Sequence, residues 1–271
     1  MTARTTASAA PTSSAAVLIV AHNQARHIAA TVRASRSIPG VDLVLVVDDG
    51  SLDNTQDLAR KAGAVVVRQS HRRGRSASIE TGAAVIAMRD EEGAAPRAVL
   101  LLDAGLGASA AGAAPIVAAV VEQVADMAIA LVGGPSRATG ATASAARKAI
   151  ASLSGWSPMQ PLSKVRCLTR EALEAAFPLS RGAGLETAVT LDVIDAGLTV
   201  TEVPCDLKHR PSRRAGKPLE RASQYRDVMM AISARRIRLS LRSTQHVVED
   251  AFHVASRSGS VKVRGRKKDE Q

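Results

Sequence analysis

Aromatic side chains are almost missing from this sequence: Phe, Tyr and Trp make up 1% of its 271 residues, although 46% of the residues are hydrophobic. The core must therefore be filled by Ala, Val, Leu and Ile. Stacking on aromatic faces is excluded as a main binding mode, which weighs against a platform for single-stranded nucleic acid. Cysteine is scarce too, and Cys167 and Cys205 show neither metal spacing nor a disulfide framework, as suits a reducing cytoplasm. Glu122 and Asp126 interrupt the best long apolar run, so no spanning helix of about 18 apolar residues is expected. Residues 1–14 lack a charged region followed by an apolar core, and disorder is expected there rather than a signal peptide. No G-x-G-x-x-G follows the first apolar run, which argues against a dinucleotide-binding oxidoreductase.

Positive charge, by contrast, is abundant. Lys and Arg number 36 against 25 acids, a formal charge of +11, and between Lys208 and Arg242 the cations are opposed only by Glu220 and Asp227. Such a block implies an anionic partner, whether a phosphorylated substrate, acidic lipid or nucleic acid, or else a solvated basic face.

The chain is organised around residues 43–55, where the apolar run Leu43-Val44-Leu45-Val46-Val47 stops abruptly in Asp48, Asp49, Gly50 and Ser51. An apolar run rich in β-branched residues fits a strand covered on both faces, as in the parallel sheet of an α/β protein. Its carboxyl end carries the polar residues, and in open α/β sheets that edge binds ligands. Gly50 permits a tight turn, and Ser51, Asp53 and Thr55 offer caps for the next helix. Alternating strands and helices on either side, including strands at 17–20, 64–67 and 98–103, predict a parallel sheet with right-handed crossovers.

The ordered string Val47-Asp48-Asp49-Gly50-Ser51-Leu52-Asp53-Asn54-Thr55 resembles the signature of the family-2-type nucleotide-sugar glycosyltransferases with the GT-A fold. That resemblance implies a Rossmann-like, mostly parallel sheet flanked by helices, with Asp49 and Ser51 in a nucleotide pocket. Ala21-His22-Asn23-Gln24 is similar to the segment with which that family begins the pocket, so Ala21, Asn23 and Gln24 join it, Gln24 standing where glutamate is usual. Arg75 matches the family's lysine near the diphosphate, and a cation beside a helix N-terminus is a sound phosphate site. Asp103 matches the first acid of the metal-holding D-x-D element, and Gly105 replaces the second. The resemblance therefore implies Mn²⁺ or Mg²⁺ on Asp103, with His209 in the place of the histidine that completes the metal site.

Further along, a helix over 112–125, a strand from Met127 to Val132 and a helix over 146–152 are expected. Ser154-Gly155-Trp156 resembles the turn before the acceptor half, although Trp156 could equally plug two layers. Gly182-Ala183-Gly184-Leu185-Glu186 is similar to the stretch of the glucosyl-3-phosphoglycerate synthases and polyprenyl-phosphate sugar synthases whose glutamate faces the reaction centre. Glu186 is thus the candidate catalytic residue; alternatively it is an acid that stabilises a helix N-terminus. A basic helix over 218–242 should turn Leu219, Ala222, Met229 and Ile232 to the core, and Arg235 to Arg242 could lie on an anionic membrane.

Taken together, these features divide the chain into a disordered segment 1–14, a GT-A domain 15–242 with halves 15–110 and 111–242, and a basic disordered tail 243–271. The implied activity moves a sugar from a UDP- or GDP-sugar to a hydroxyl or phosphate acceptor, either a phosphorylated small molecule or a polyprenyl phosphate. A cytoplasmic protein is expected, with peripheral contact at the inner face of the membrane and a homodimer left open, and with no nucleic-acid partner. Gln24 and Gly105 keep a rival in view, a non-catalytic nucleotide-binding relative.

Overall fold

The computed structural model describes residues 14–133, 138–208 and 219–237. The chain divides into a compact unit through Ile232 and a second beginning at Ser233, of which only helical residues 233–237 are described.

Apolar runs become strands and the amphipathic stretches between them become helices. In order these are β1 (Ala15–Ala21), α1 (Ile28–Arg36), β2 (Val41–Asp48), α2 (Thr55–Lys61), β3 (Val65–Arg68), α3 (Arg75–Ala87) and β4 (Ala98–Asp103). A 3₁₀ segment (Ala104–Ala113) leads into α4 (Ala114–Val121) and β5 (Met127–Val132). Then follow α5 (Ala141–Ser154), β6 (Arg166–Leu168), α6 (Arg170–Ala175), a short 3₁₀ turn (Gly182–Gly184), α7 (Leu185–Asp195) and β7 (Val200–Cys205). Residues 219–237 form a last helix, α8.

The strands make one sheet in the order β3-β2-β1-β4-β6-β5-β7. β1 pairs in parallel with β2 and β4, as β2 does with β3 and β5 with β7. The sheet is not wholly parallel, however, because β6 runs antiparallel to both β4 and β5. Successive residues of a strand face opposite sides. Val17 and Ile19 therefore pack with Ile28 and Val32 of α1 and Ile116 and Val120 of α4, whereas Leu18, Leu45 and Val47 pack with Ile79, Ala83 and Ile86 of α3 and Val189 and Val193 of α7. Trp156 packs against this second cluster and also against a third, built from Ile150 of α5, Leu191 of α7 and Val228 and Ile232 of α8, so it does plug two layers.

Several expectations change. The helix expected over 112–125 is α4, which is shorter at both ends (Ala114–Val121) and is preceded by a 3₁₀ segment (Ala104–Ala113) with non-helical backbone at Gly107. Ala104–Val121 is an uncharged stretch of 18 residues, long and apolar enough by composition to cross a membrane. Its small residues hid that length in the sequence. In the fold it is a core element, with Ala110, Ala113, Ile116, Val117 and Val120 buried. α5 begins at Ala141, earlier than the periodicity suggested. On α8 the inner face is Val228, Ala231 and Ile232, while Leu219 is 84% exposed and Ala222 is exposed as well. Of the basic segment, Arg235 is buried and Arg236 exposed, and 238–242 lie outside the described residues, as do 1–13 and 243–271.

Candidate functional site

The carboxyl ends of β1, β2 and β4 lie side by side because these strands are parallel neighbours. Their loops hold one another. The backbone N–H of Asn23 donates to Ser51 Oγ (2.9 Å), that of Gln24 to Thr55 Oγ1 (2.7 Å), and that of Ala25 to Asp53 Oδ2 (3.1 Å). In return Leu52 N–H donates to Asn23 Oδ1 (2.9 Å), and His22 Nδ1 donates to the Asp49 carbonyl (2.9 Å). Asn23 adopts a positive φ of 53°, a conformation asparagine tolerates better than most residues. Ala21 is buried, and its carbonyl accepts Asp49 N–H at 2.8 Å. Of the side chains expected to cap α2, Asp53 does accept the N–H of its first residue, Thr55, at 3.0 Å, while Ser51, Asp53 and Thr55 also reach across the sheet edge; the N-cap itself, Asn54, makes no side-chain cap bond.

Asp53 is the most strongly engaged of these acids. Burial works against its charge, but hydrogen bonds from the Thr55 hydroxyl and from the backbone of Ala25 and Thr55 prevail and hold its carboxyl below the usual aspartate value.

Asp49 clasps a third loop. Its Oδ1 accepts from Arg73 N–H at 2.6 Å and its Oδ2 from Gly74 N–H at 3.0 Å, and the residue is buried. The anion immediately ahead of α3 is therefore the protein's own carboxylate. Only glycine fits at position 50, because a Cβ there would lie 2.9 Å from the backbone of His71 and Arg72, at a φ of +71°.

β4 delivers Asp103 to the same edge. Its Oδ1 accepts Gly105 N–H at 2.9 Å, while Oδ2 takes no hydrogen bond from the described residues. A Cβ on Gly105 would stand 3.3 Å from that Oδ1 and 3.9 Å from Gln24 Oε1, so the amide oxygen of Gln24 lies close by. Asp103 borders a pocket of about 260 Å³ whose other walls are Val132, Ala138, Gln160, Leu162, Ser163, Lys164 and Val165. Among the described residues no three His, Cys, Asp or Glu side chains cluster as a metal site, and His209 lies outside them. One free carboxylate oxygen fits a hard divalent cation whose remaining ligands come from substrate phosphates and water.

Arg75 and Glu186 come together. Arg75 Nε lies 3.5 Å from Glu186 Oε1, and Arg75 Nη2 donates to the Lys164 carbonyl at 3.0 Å. Glu186 does not line the Asp103 pocket; it is buried behind Arg75, beside a void of about 10 Å³, and its Oε1 and Arg75 Nε have no hydrogen-bond partner there. Such a void has room for about one water.

The sequence reading missed Arg166. This fully buried guanidinium donates from Nη1 to the Glu186 carbonyl (2.9 Å) and Thr190 Oγ1 (3.2 Å), and from Nε and Nη2 to the Ser163 carbonyl (3.1 and 2.8 Å). It thereby ties the head of α7 to the pocket wall. Burial pulls its pKa down to about 10, opposed by the charge of Glu186 and reinforced by that of Arg75. Its signal was an arginine inside the apolar run Val165-Arg166-Cys167-Leu168. Glu202 of β7 was missed as well; it accepts from the N–H groups of Met159 (2.7 Å) and Gln160 (2.8 Å), holding the same wall.

Fold and edge together define the class: an α/β protein of the GT-A fold, with its polar loops gathered at the carboxyl edge of the sheet. Residues 16–104 match the sequence profile of glycosyl transferase family 2. No curated protein matches the chain significantly. Among solved structures it is similar to glucosyl-3-phosphoglycerate synthase from Mycobacterium tuberculosis in complex with Mn²⁺, UDP and phosphoglyceric acid, with 22% identity and a TM-score of 0.65 over 82% of this chain and 78% of that one. The same synthase with Mg²⁺ and UDP matches at 22% identity and a TM-score of 0.63, over 82% and 79% of the two chains. A further mycobacterial protein matches at 23% identity and 0.64, over 82% and 74%.

Proposed function

We propose that the chain is a glycosyltransferase that moves a sugar from a UDP- or GDP-sugar to the hydroxyl of a small phosphorylated acceptor. One observation carries the reading. The family-2 segment ends at the edge where Asp103 opens a pocket of about 260 Å³, and Arg75 is bonded to the wall of that pocket. The similar synthase was solved with UDP-glucose and phosphoglyceric acid, which supports a nucleotide-sugar donor and an anionic acceptor.

In the transfer, the bond from the anomeric carbon to the diphosphate oxygen breaks, a bond to the acceptor oxygen forms, and the proton of the acceptor hydroxyl passes to the departing nucleoside diphosphate. Asp103 and the donor phosphates would hold Mn²⁺ or Mg²⁺, which supplies positive charge to the departing diphosphate. Arg75 adds charge from the chain itself. Glu186 orients Arg75 from behind, and the clasped loops at Asn23, Gln24, Asp49 and Ser51 form the floor for the base and ribose. A polyprenyl phosphate acceptor, attacking through a phosphate oxygen and with no hydroxyl proton to lose, together with attachment to an anionic membrane, is the alternative form of this transfer. Their support is the basic block after Lys208, with basic residues near an anionic surface each worth about 1 kcal/mol.

Gly105 favours a second reading, a nucleotide-binding chain without transfer. A thermal-shift screen of nucleotide-sugars with and without Mn²⁺, followed by a transfer assay on the best donor with phosphoglycerate, separates the two. Stabilisation by UDP or GDP together with product formation is expected. Stabilisation without product, unrelieved in Gly105→Asp, selects the second reading, and no response to any nucleotide removes both.

A further inference from the structure

Lys164 stands out on the pocket wall. It is exposed between Ser163 and the buried Val165, and it forms no ion pair among the described residues. Its backbone, however, is held from several sides. Arg75 Nη2 donates to its carbonyl at 3.0 Å, the Ser163 hydroxyl donates to the Ala130 carbonyl at 2.8 Å, and Arg166 grips the Ser163 carbonyl through two N–H groups. The backbone that carries the ammonium is thus fixed at the pocket wall, so an anion that binds there has only the lysine side chain left to order.

The rest of the pocket sharpens this. Val132, Ala138, Leu162 and Val165 make much of its wall apolar, and its charged side chains are Asp103 and Lys164. A low-dielectric wall strengthens the pull of a cation on an anion. Asp103 repels an anion but accepts from a hydroxyl. The ligand that suits both groups carries a phosphoryl group toward Lys164 and a hydroxyl or a cation toward Asp103. Arg75, which donates to the backbone carbonyl of Lys164, adds a second positive charge on that side.

We propose that Lys164 binds a phosphoryl group in the Asp103 pocket, supplied either by the donor diphosphate or by the acceptor. This rests on the glycosyl-transfer reading for the choice of ligands, but not for the test. UDP, inorganic pyrophosphate and phosphoglycerate are titrated calorimetrically into the full chain and into Lys164→Met and Lys164→Arg, in chelator and in Mg²⁺. Lys164 is exposed, so both variants should unfold at the parent's urea midpoint.

Loss of a charge-assisted contact should weaken the anion that Lys164 serves by about tenfold or more, with Lys164→Arg recovering most of it. Weakening of UDP and pyrophosphate assigns the residue to the donor; weakening confined to phosphoglycerate assigns it to the acceptor. Either outcome supports the proposal. Equal affinities for all three ligands in parent and Lys164→Met overturn it. Lys164-dependent binding of pyrophosphate by a chain that ignores UDP keeps this site and removes the glycosyl-transfer reading. Tight UDP binding untouched by Lys164→Met, with phosphoglycerate equally untouched, does the reverse.

Discussion

Asp49 shows how a single side chain can serve a site by holding its frame. Its carboxylate receives the N–H groups of Arg73 and Gly74, so Asp49→Ala leaves both without an acceptor and frees the loop ahead of α3. The expected cost is about 2 kcal/mol in urea unfolding, with UDP binding abolished in calorimetry while the fold survives. A variant that binds UDP as tightly as the parent would place the nucleotide elsewhere. The two thiols make a different residue-scale prediction. Burial raises Cys167 to about 12 and Cys205 to about 11. Unfolded thiols release their protons near pH 8.5, so above that value the folded chain binds more protons than the unfolded one. This stabilisation is complete below about pH 8.5 and is lost as pH rises through the folded values. Urea midpoints should therefore fall more steeply between pH 8 and about pH 11 in the parent than in the Cys167→Ala, Cys205→Ala double variant. Parallel pH profiles would deny the thiols any part in alkaline unfolding.

Among the elements, β6 has an influence out of proportion to its three residues. It inserts antiparallel between β4 and β5, and in doing so brings Arg166 under the pocket wall and against the first turn of α7. Arg166→Met removes the donor from the carbonyls of Ser163 and Glu186 and should cost about 3 kcal/mol. Arg166→Lys should recover less than half, because one ammonium cannot reach acceptors on both sides as a guanidinium fork does. Urea denaturation of both variants checks this; a loss under about 1 kcal/mol would mean that water replaces the guanidinium without strain. The strand was not legible beforehand, and the arginine showed only as a charge inside a short apolar run. Three residues are too few to show a period, and an antiparallel insertion leaves no local mark.

For the whole molecule, closure depends on a late helix. α8 completes the third core cluster through Val228 and Ile232, and Gly182–Gly184 admits it: a Cβ at Gly184 would stand 2.6 Å from the Asp227 carbonyl and 2.7 Å from Ala231 Cβ. Ile232→Ala should cost about 3 kcal/mol, read as a fall of several degrees in Tm, whereas Leu219→Ala on the exposed side should stay within about 0.5 kcal/mol. Equal effects at the two positions would mean that α8 does not pack as described. The periodicity of α8 and the inward side of Met229 and Ile232 were legible, but the exposure of Leu219 and Ala222 was not: a helical stripe fixes which residues share a side, and only the neighbour decides how far along the helix burial extends. The same division runs through the chain. By itself the sequence determined the strands at 43–48 and 98–103, the polar loop at 48–55 and the alternation of strand and helix, because hydrophobic runs, turns and periodicity are local physics; the gathering of Asn23, Asp49 and Asp103 at one edge was implied by the family resemblance of their motifs. Tertiary structure alone decided what each polar group touches. Ser51, Asp53 and Thr55 hold the loop after β1, Asp49 holds the turn before α3, and Glu186 faces Arg75 and Arg166. A hydrogen bond or an ion pair depends on which distant residue the chain brings back within about 3 Å, and sequence separation carries no record of that.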